Sequence, residues 1–513
     1  MHKTQRSAAL LLTILLSAAA WLTPQSAQAF CGFYVSGASK DLSNNATQVT
    51  LMRHGERTVL SMQNNYKGPP EDFALVIPVP VVLQEENVKT LPKDVFERVD
   101  QMAAPRLVEY WERDPCYKPP RDWDFFDDGK VYNEAAPSPT AAAVDGGAVK
   151  VEAEFAVGEY QVVILSANDS GALDAWLKEK EYKIPSGAEP VLRPYVEAGT
   201  KFFVAKVDSK KVKFEDGKAK LSPLRFHYDT KDFNLPIRLG LLNANGPQDL
   251  IVHILAQEQR YEAANYKNVT VPTNIIVDEP VREDFAGFYA ALFDRTLESN
   301  PGAVVTEYSW AASTCDPCPG PTLNSQDFGL LGADVMPNTN PWRWVLTRLH
   351  TRYTKDNLGE DLVFKAAPPI VGGRGTPDNQ GELAERGSQP GPVNNFQGRY
   401  IILNLWEGDI NCMDPKRGVW GGPPKGGNKT HAAKNMGDVD RKEGVKLASL
   451  VREDVPSLDI KAEGGGFQMP EAQGSVCGCT CSTAHRQGTP LWPGTLLAIG
   501  LGAFVWAVRR RRG

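Results

Sequence analysis

The sequence predicts an α+β protein made mostly of antiparallel β-sheets with flanking helices, followed by one C-terminal transmembrane helix. Three observations support this prediction. Short apolar strands recur at close spacing between turn residues, residues 284–298 cluster apolar side chains on one helical face, and residues 491–508 form an uninterrupted apolar run. The 45 glycines and 38 prolines indicate many turns and loops between these elements.

The first strands are predicted as a hairpin. Residues 48–53 and 58–63 alternate apolar and polar side chains on either side of His54-Gly55-Glu56, where glycine suits the turn. Residues 73–82 form a further apolar strand, which we expect to lie at a sheet edge or to leave the sheet at its two prolines, because proline cannot donate ladder hydrogen bonds.

A change to helical spacing marks residues 94–112, with a break or kink at Pro105. The Pro-rich and Ala-rich segment 117–149 is typical of an exposed insertion. The pattern then predicts strands at 151–166, 202–207, 212–214, 221–228, 236–242, 251–257 and 400–406, helices at 173–181, 191–196, 284–298 and 342–353, and a long surface loop at 368–397.

Six regions follow from these patterns. We expect a signal peptide at 1–29, a β-hairpin and helix unit at 30–116, the insertion at 117–149, a main α+β region at 150–407, a flexible spacer at 408–476, and a Cys motif with membrane helix and Arg-rich tail at 477–513.

Both chain ends predict an exported protein. A short basic region, the apolar residues 8–22 and Ala27-Gln28-Ala29 form a signal peptide with cleavage before Phe30, whose bulk disfavours lipidation of Cys31. Residues 491–508 are long enough to cross a bilayer. The arginines after them predict a cytoplasmic tail and an extracytoplasmic body. The predicted sorting or anchor residues are Cys477, Cys479, Cys481, Arg509, Arg510, Arg511 and Arg512.

The composition excludes some classes of partner and site. A formal net charge of −6 offers no basic surface for nucleic acid, and 7 histidines without a closely spaced pair or second CxxC give no zinc site. The sequence therefore predicts no cofactor and no metal, and it does not identify a ligand.

Cysteines outside the tail are disulfide candidates in an oxidising compartment. We expect a bond between Cys31 and Cys116, which bracket the first strand-helix unit. Cys315 and Cys318 are expected in a structural bridge, either with each other or with Cys412. Their spacing also fits a thiol-exchange motif, but Pro319-Gly320-Pro321 prevents the following helix that a thioredoxin-like site needs.

Other motifs have a catalytic and a structural interpretation. Arg53-His54-Gly55-Glu56 matches the histidine phosphatase signature, yet a strand follows it, so we favour a hairpin tip. Residues 122–129 resemble the first part of a calcium loop. Phe126 stands where that loop needs an oxygen ligand and Ala135 where it needs a glutamate, so we favour a solvated acidic loop. His227, His253 and His350 are interpreted as partly buried, satisfied histidines.

Several blocks carry a family resemblance. They are Cys31-Gly32-Phe33-Tyr34-Val35, residues 73–80, Val157-Gly158-Glu159-Tyr160, Ala175-Trp176-Leu177, Leu221-Ser222-Pro223-Leu224, residues 235–239 and residues 346–353. Together they resemble the bacterial envelope family known as domain of unknown function 2330, from Cys31 to about Val371. That resemblance implies no reaction.

The tail resembles the Cys-containing sorting signals of myxobacterial surface proteins. This resemblance implies processing by a rhombosortase-like or exosortase-like membrane protease and transfer to the cell surface. A plain single-pass anchor is the alternative.

Two function classes remain from the sequence. The first is a surface-tethered structural or binding head without enzymatic activity. The second is an envelope hydrolase or thiol-linked enzyme that uses His54, Cys315, Cys318 or residues 342–352. A deep pocket that combines two of His54, His227 and His350 with a carboxylate favours the enzyme, and scattered histidines favour the head.

Overall fold

The computed structural model describes residues 33–36, 43–67, 73–117, 149–180, 187–208, 210–215, 218–243, 247–354, 356–424, 426, 430–433 and 444–470. These residues form an α+β fold dominated by sheets, as predicted. The described α-helices are α1 (Asp94–Ala103), α2 (Ser170–Glu179), α3 (Ala188–Glu197), α4 (Phe285–Ser299) and α5 (Ser325–Leu331). None of the helices in the described ranges is long and apolar enough to cross a membrane, and residues 491–508 lie outside those ranges.

A large central sheet organises the fold. Its spatial order is β22 (Gln389–Pro390), β21 (Ile370–Gly372), β23 (Asn395–Gln397), β18 (Val304–Ala311), β19 (Trp344–Tyr353), β14 (Gln248–Gln257), β2 (Ser43–His54), β3 (Arg57–Lys67), β12 (Leu224–Asp229) and β5 (Val88–Thr90), and β16 (Asn268–Thr270) pairs with β18. Most neighbours are antiparallel, but β14 runs parallel to β2.

Two five-stranded sheets accompany the central sheet. One has the order β1 (Phe33–Ser36), β4 (Phe73–Val79), β9 (Lys201–Val207), β8 (Tyr160–Ala167) and β7 (Val149–Val157). The other has the order β17 (Ile275–Ile276), β24 (Arg399–Asn404), β6 (Arg106–Glu112) and β25 (Trp420–Gly421), and β26 (Thr430–Ala432) pairs with β6.

Two small sheets complete the strands. The first joins β13 (Asn234–Leu235), β20 (Leu362–Ala367) and β15 (Arg260–Ala263), and the second joins β10 (Lys213–Glu215) and β11 (Lys218–Lys220).

Alternation along β14 explains the layers. Val252 and Ile254 point to the core shared with the sheet of β4, β8 and β9, whereas Ile251 and Leu255 point to the opposite face. That opposite face packs on α1, α4 and α5, and helices α2 and α3 cover the far side of the second sheet. The result is a four-layer arrangement of helix, sheet, sheet and helix.

Several predictions are confirmed. β2 and β3 form the expected hairpin, with Gly55 at a φ of +59° in the turn. The helix predicted at 284–298 is α4, and those predicted at 173–181 and 191–196 are α2 and α3. Helix α1 ends before Pro105, after which the chain continues as strand β6 rather than as a kinked helix.

Of the two outcomes expected for residues 73–82, the sheet edge is wrong, but departure from the sheet at the prolines is confirmed, because β4 ends at Val79, just before Pro80. β4 lies between β1 and β9. Within the described part of the chain, β1 pairs with residues 73–76, and the partner strand described for Pro78 is β9.

The prediction of a helix at 342–353 is also wrong, since this segment is strand β19 preceded by a short 3₁₀ turn. Its side chains point alternately to the two faces of the sheet, and nine of its ten residues are buried. The helix prediction rested on the alternation of aromatic residues and arginines, a pattern that does not distinguish a helix from a strand that is buried on both faces.

Three further expectations need correction. Residues 236–242 contain a 3₁₀ helix rather than a strand. Residues 368–397 contain strands β21, β22 and β23, of which β23 is largely buried. The described part of the predicted spacer is anchored, because Val451 and Leu458 pack in the core around α4.

Candidate functional site

A row of buried polar residues crosses the central sheet on the face that carries α1, α4 and α5. Strand register places Arg225, Ser61, Thr50, His253 and Arg348 side by side on five successive strands. Each of them is at most 2% exposed. Such a row is costly to bury unless partners satisfy it, so its contacts indicate what it does.

Arg348 is the centre of this row. Its Nε donates to Glu307 Oε2 at 2.5 Å, and its NH1 pairs with Asp100 of α1 and lies 3.2 Å from His253 Nε2. Burial alone lowers the pKa of Arg348, but the two carboxylates outweigh burial and raise it above its ordinary value. The guanidinium therefore stays charged inside the protein.

Glu307 reaches Arg348 because of a β-bulge. The register between β18 and β19 shifts between Thr306 and Tyr308, which leaves Glu307 without a partner residue in β19 and re-aims its side chain. Burial raises the pKa of Glu307, but His350 and Arg348 overcome burial and lower it to about 2. Glu307 is accordingly an anion.

His350 is the second cation of the cluster. Its Nδ1 lies 2.7 Å from Glu307 Oε1 and its Nε2 lies 3.4 Å from Asp249 Oδ1, while its ring stacks on Phe293 of α4 with centroids 3.7 Å apart. Burial lowers the pKa of His350, but Glu307 and Asp249 raise it by more than burial lowers it, so the net shift is upward. The Tyr289 hydroxyl donates a hydrogen bond of 2.6 Å to Glu307 Oε1.

His253 behaves in the opposite way. Burial, with help from Arg348, lowers the pKa of His253 to about 3, so its ring is neutral. Nε2 then accepts from Arg348, which leaves the proton on Nδ1, and Nδ1 has no hydrogen-bond partner in the described part of the chain. Thr50 Oγ1 and Ser61 Oγ, which continue the row, are likewise without a described partner.

These contacts make the cluster a closed structural unit. Arg348, Glu307 and His350 have no exposed surface, so no substrate reaches them. Two cavities of about 210 and 430 Å³ lie elsewhere and share Ile276, Arg452 and Phe467 in their walls.

The sequence-predicted histidines do not meet in one site. His350 aligns through Ile251 with Gln48, six residues before His54 on β2, which places His54 roughly 20 Å along the strand. His227 contacts Asn87 at 3.2 Å. Among the described residues, no group of three or more His, Cys, Asp or Glu side chains is arranged to hold a metal ion.

Arg53 does not have the role it has in a phosphatase. Its guanidinium donates to Thr58 Oγ1 at 2.6 Å and to the carbonyls of Glu56, Thr230 and Lys231. These bonds tie the hairpin tip to the neighbouring loop and leave the guanidinium committed to structure. They agree with the interpretation of residues 53–56 as a hairpin tip.

The described disulfides differ from one expectation. Cys116 is bonded to Cys412, 296 positions away, so the predicted Cys31–Cys116 bond is wrong. Cys315 and Cys318 are bonded to each other, one of the two bridges considered for them. Cys31, Cys477, Cys479, Cys481 and the arginines at 509–512 lie outside the described residues.

The two disulfides close rings of very different size, so they differ in how much they contribute to the free energy of folding. In the chain-entropy model a ring of roughly 300 residues contributes on the order of 5 kcal/mol to folding, whereas a ring of about four residues contributes about 2 kcal/mol. The first bond fastens the end of β6 to the segment after β24. The second closes only a tight loop after β18.

Three side chains hold that loop independently of its disulfide. Arg106 donates to Pro317 O at 2.9 Å, Gln101 Nε2 donates to Pro319 O at 3.0 Å, and Gln397 Nε2 donates to Asp316 O. Arg106 and Gln397 are fully buried. Hydrogen bonds to three of its carbonyl oxygens therefore hold the loop in place.

Arg106 pairs in register with Arg399 across β6 and β24, so two guanidiniums lie close together. Arg106 donates to the carbonyls of Met102 and Ala104 as well as Pro317, and Arg399 contacts Asn274, Tyr110 and Gly375. In the described ranges neither arginine forms an ion pair. Burial lowers the pKa of both arginines.

Comparison with known families places the chain. A family model described as an uncharacterized protein conserved in bacteria, DUF2330, matches residues 25–365. The chain belongs to this family. Comparison of this DUF2330 chain with the curated proteins and with the solved structures found no match.

Sequence reasoning missed the residues that join the DUF2330 core. Asp100, Glu307 and Arg106 were not singled out, and Arg348 entered only as part of residues 342–352, because their partners lie up to 248 positions away. One signal was available: Arg348, His350 and Arg352 alternate with apolar or hydroxyl residues, which is the period of a strand with one charged buried face.

Proposed function

We propose that this DUF2330 protein is the extracytoplasmic head of an envelope protein, held at the membrane by its C-terminal segment, and that it acts as a structural or binding module. The observation that carries the proposal is the bond between Cys116 and Cys412. A disulfide across so many residues fits an oxidising compartment and is rare in the cytosol. It supports the same address as the signal peptide and the basic tail without depending on either.

The interior supports a head rather than an enzyme. Two acid-base groups with perturbed pKa values, Glu307 and His350, are buried beneath α4 and pair with each other. Perturbed pKa values mark active sites when they face a cleft, and here they belong to an enclosed ion-pair network. Their role in the proposal is to fasten α1 and α4 to the central sheet.

The address is tested by comparing the full chain with a chain that ends at residue 490. Both are expressed with the signal peptide in a Gram-negative host, and membrane and soluble envelope fractions are separated. We expect the full chain in the membrane fraction and the shortened chain in the soluble envelope fraction, with Cys116 bonded to Cys412 in both. A shortened chain that remains with the membrane contradicts the anchor, and free thiols at both cysteines contradict the compartment.

Sorting is a finer part of the proposal. A membrane protease would remove the arginines at 509–512, so intact mass would show a C-terminus before Gly513. Replacing Cys477, Cys479 and Cys481 together by Ser should leave the unprocessed form, and Ser475→Ala with Ser482→Ala is the matched control. A mature chain that still ends at Gly513 contradicts sorting and leaves the plain anchor.

A further inference from the structure

We propose that Cys315–Cys318 is an exchange-active disulfide that accepts two electrons from thiols outside the cytoplasm. The proposal goes beyond the tethered head and does not depend on how the chain is anchored. It rests on the placement of this bond in the loop between β18 and α5, and on what surrounds that loop. Both cysteines are partly exposed, so another thiol can reach them.

The fold tolerates opening of this bond. Gln101, Arg106 and Gln397 hold the carbonyls of Pro319, Pro317 and Asp316 whether or not the sulfurs are joined. Two residues separate the cysteines, so the thiols remain neighbours after reduction. By contrast, Cys116–Cys412 joins distant segments, and its loss releases one from the other.

The surroundings favour a thiolate. Arg106 reaches the carbonyl of Pro317, which lies between the two cysteines in the chain, and Arg399 lies beside Arg106. Among the described residues neither guanidinium forms an ion pair, and both interact electrostatically with Asp316 of this loop, which places their positive charges within range of it. Cations near a cysteine stabilise the thiolate, which is the leaving group of disulfide exchange.

The exchange is balanced as follows. A substrate thiolate attacks one sulfur of the pair, the Cys315–Cys318 bond breaks, and the released cysteine leaves as a thiolate. A second substrate thiolate then attacks the mixed disulfide and releases the other cysteine. One substrate disulfide forms, two cysteine thiols form, and the two protons lost by the substrate thiols are taken up by the cysteines or by solvent.

The first test measures order and consequence of reduction. The purified oxidised chain is equilibrated with graded mixtures of reduced and oxidised glutathione, and thiols are mapped by alkylation and mass spectrometry. We expect Cys315 and Cys318 to become free at a reduced-to-oxidised ratio at least tenfold below that needed for Cys116 and Cys412, with circular dichroism unchanged. Reduction in the reverse order, or loss of the fold on opening, overturns the proposal.

The second test measures the electrostatic part. In the reduced chain, alkylation of Cys315 and Cys318 against pH should give an apparent pKa below the ordinary thiol value. Asp316→Asn removes an exposed negative charge from the loop and should raise the alkylation rate at pH 7 roughly 2- to 5-fold. Asp409→Asn, near Cys412, is the matched control and should leave that rate unchanged. An ordinary thiol pKa with no response to Asp316→Asn overturns the proposal.

The third test distinguishes the sources of electrons. The oxidised chain is mixed with reduced glutathione or with reduced, unfolded ribonuclease A, and product disulfide is followed over time. Oxidation of either probe supports the proposal and identifies a small thiol or a polypeptide as the donor. Rates equal to those of the Cys315→Ser, Cys318→Ser double variant with both probes overturn it.

Discussion

Arg348 and Arg106 are both fully buried and both contact α1, but their partners differ. Arg348 is paired with Asp100 and Glu307, whereas Arg106 donates to the carbonyls of Met102, Ala104 and Pro317. In the first arrangement, the two carboxylates neutralise the positive charge of the guanidinium. In the second, the two terminal nitrogens of Arg106 donate to carbonyls and Nε has no hydrogen-bond partner among the described residues, so no carboxylate is paired with the charge.

This difference separates stability from reactivity. A guanidinium between two carboxylates fastens helix to sheet and is difficult to remove, because its loss leaves uncompensated anions in the interior. A guanidinium held by carbonyls positions a loop and supplies a positive field to the disulfide in that loop. Five substitutions, two of them followed against pH, test this comparison.

The largest effect is expected for Arg348→Met. Asp100 and Glu307 would remain buried without their cation, so the free energy of unfolding should fall by about 4 kcal/mol. Denaturant unfolding followed by circular dichroism at pH 7 measures the change. A loss under about 1 kcal/mol would mean that the cluster does not need its charge balance.

Arg106→Met should cost less, about 2 kcal/mol, because three carbonyls lose a donor but no carboxylate is left unpaired. The same unfolding experiment compares the two variants. Equal losses for Arg106→Met and Arg348→Met would show that the two arginines stabilise the protein in the same way, contrary to the comparison.

The two buried histidines should tilt the stability curve in opposite directions. The raised pKa of His350 gives stability that is complete below the unfolded value near 6.5 and is lost as pH rises through the folded pKa. The pKa of His253 is lowered to about 3 in the folded state, so the unfolded chain binds a proton there at a higher pH than the folded protein does. Stability therefore falls as pH drops below about 6.5.

Their variants separate these contributions. His350→Gln should flatten the decline above pH 6.5, and His253→Gln should flatten the decline between about pH 4.5 and 6.5, before ordinary carboxylates titrate. Unfolding free energies at half-unit pH steps give the slopes. Unchanged slopes in both variants would contradict the assigned charge states.

The smallest effect is expected for the exposed pair of Arg57 and Asp229. The pair is bidentate, with contacts of 2.9 and 2.7 Å, but its side chains are 33% and 55% exposed. Solvent screening limits its contribution, so Arg57→Met should cost about 0.5 kcal/mol. A cost comparable with that of Arg348→Met would show that burial does not decide the difference.

Local pattern determined a large part of the fold. Alternation and a turn glycine predicted the hairpin of β2 and β3, and clustering on one face predicted α4. These features depend on neighbours within one or two turns of chain, which a single sequence contains. The α+β class follows from the same local signals.

Tertiary structure decided the rest. Residues 344–353 are a strand because β14 and β18 flank them, and Pro78 lies inside a sheet where β9 is its described partner strand. Cys116 bonds to Cys412 and Arg348 to Asp100 across hundreds of residues. Pairing of charges and sulfurs at such separations depends on which surfaces meet in space, and local spacing along the chain carries no record of it.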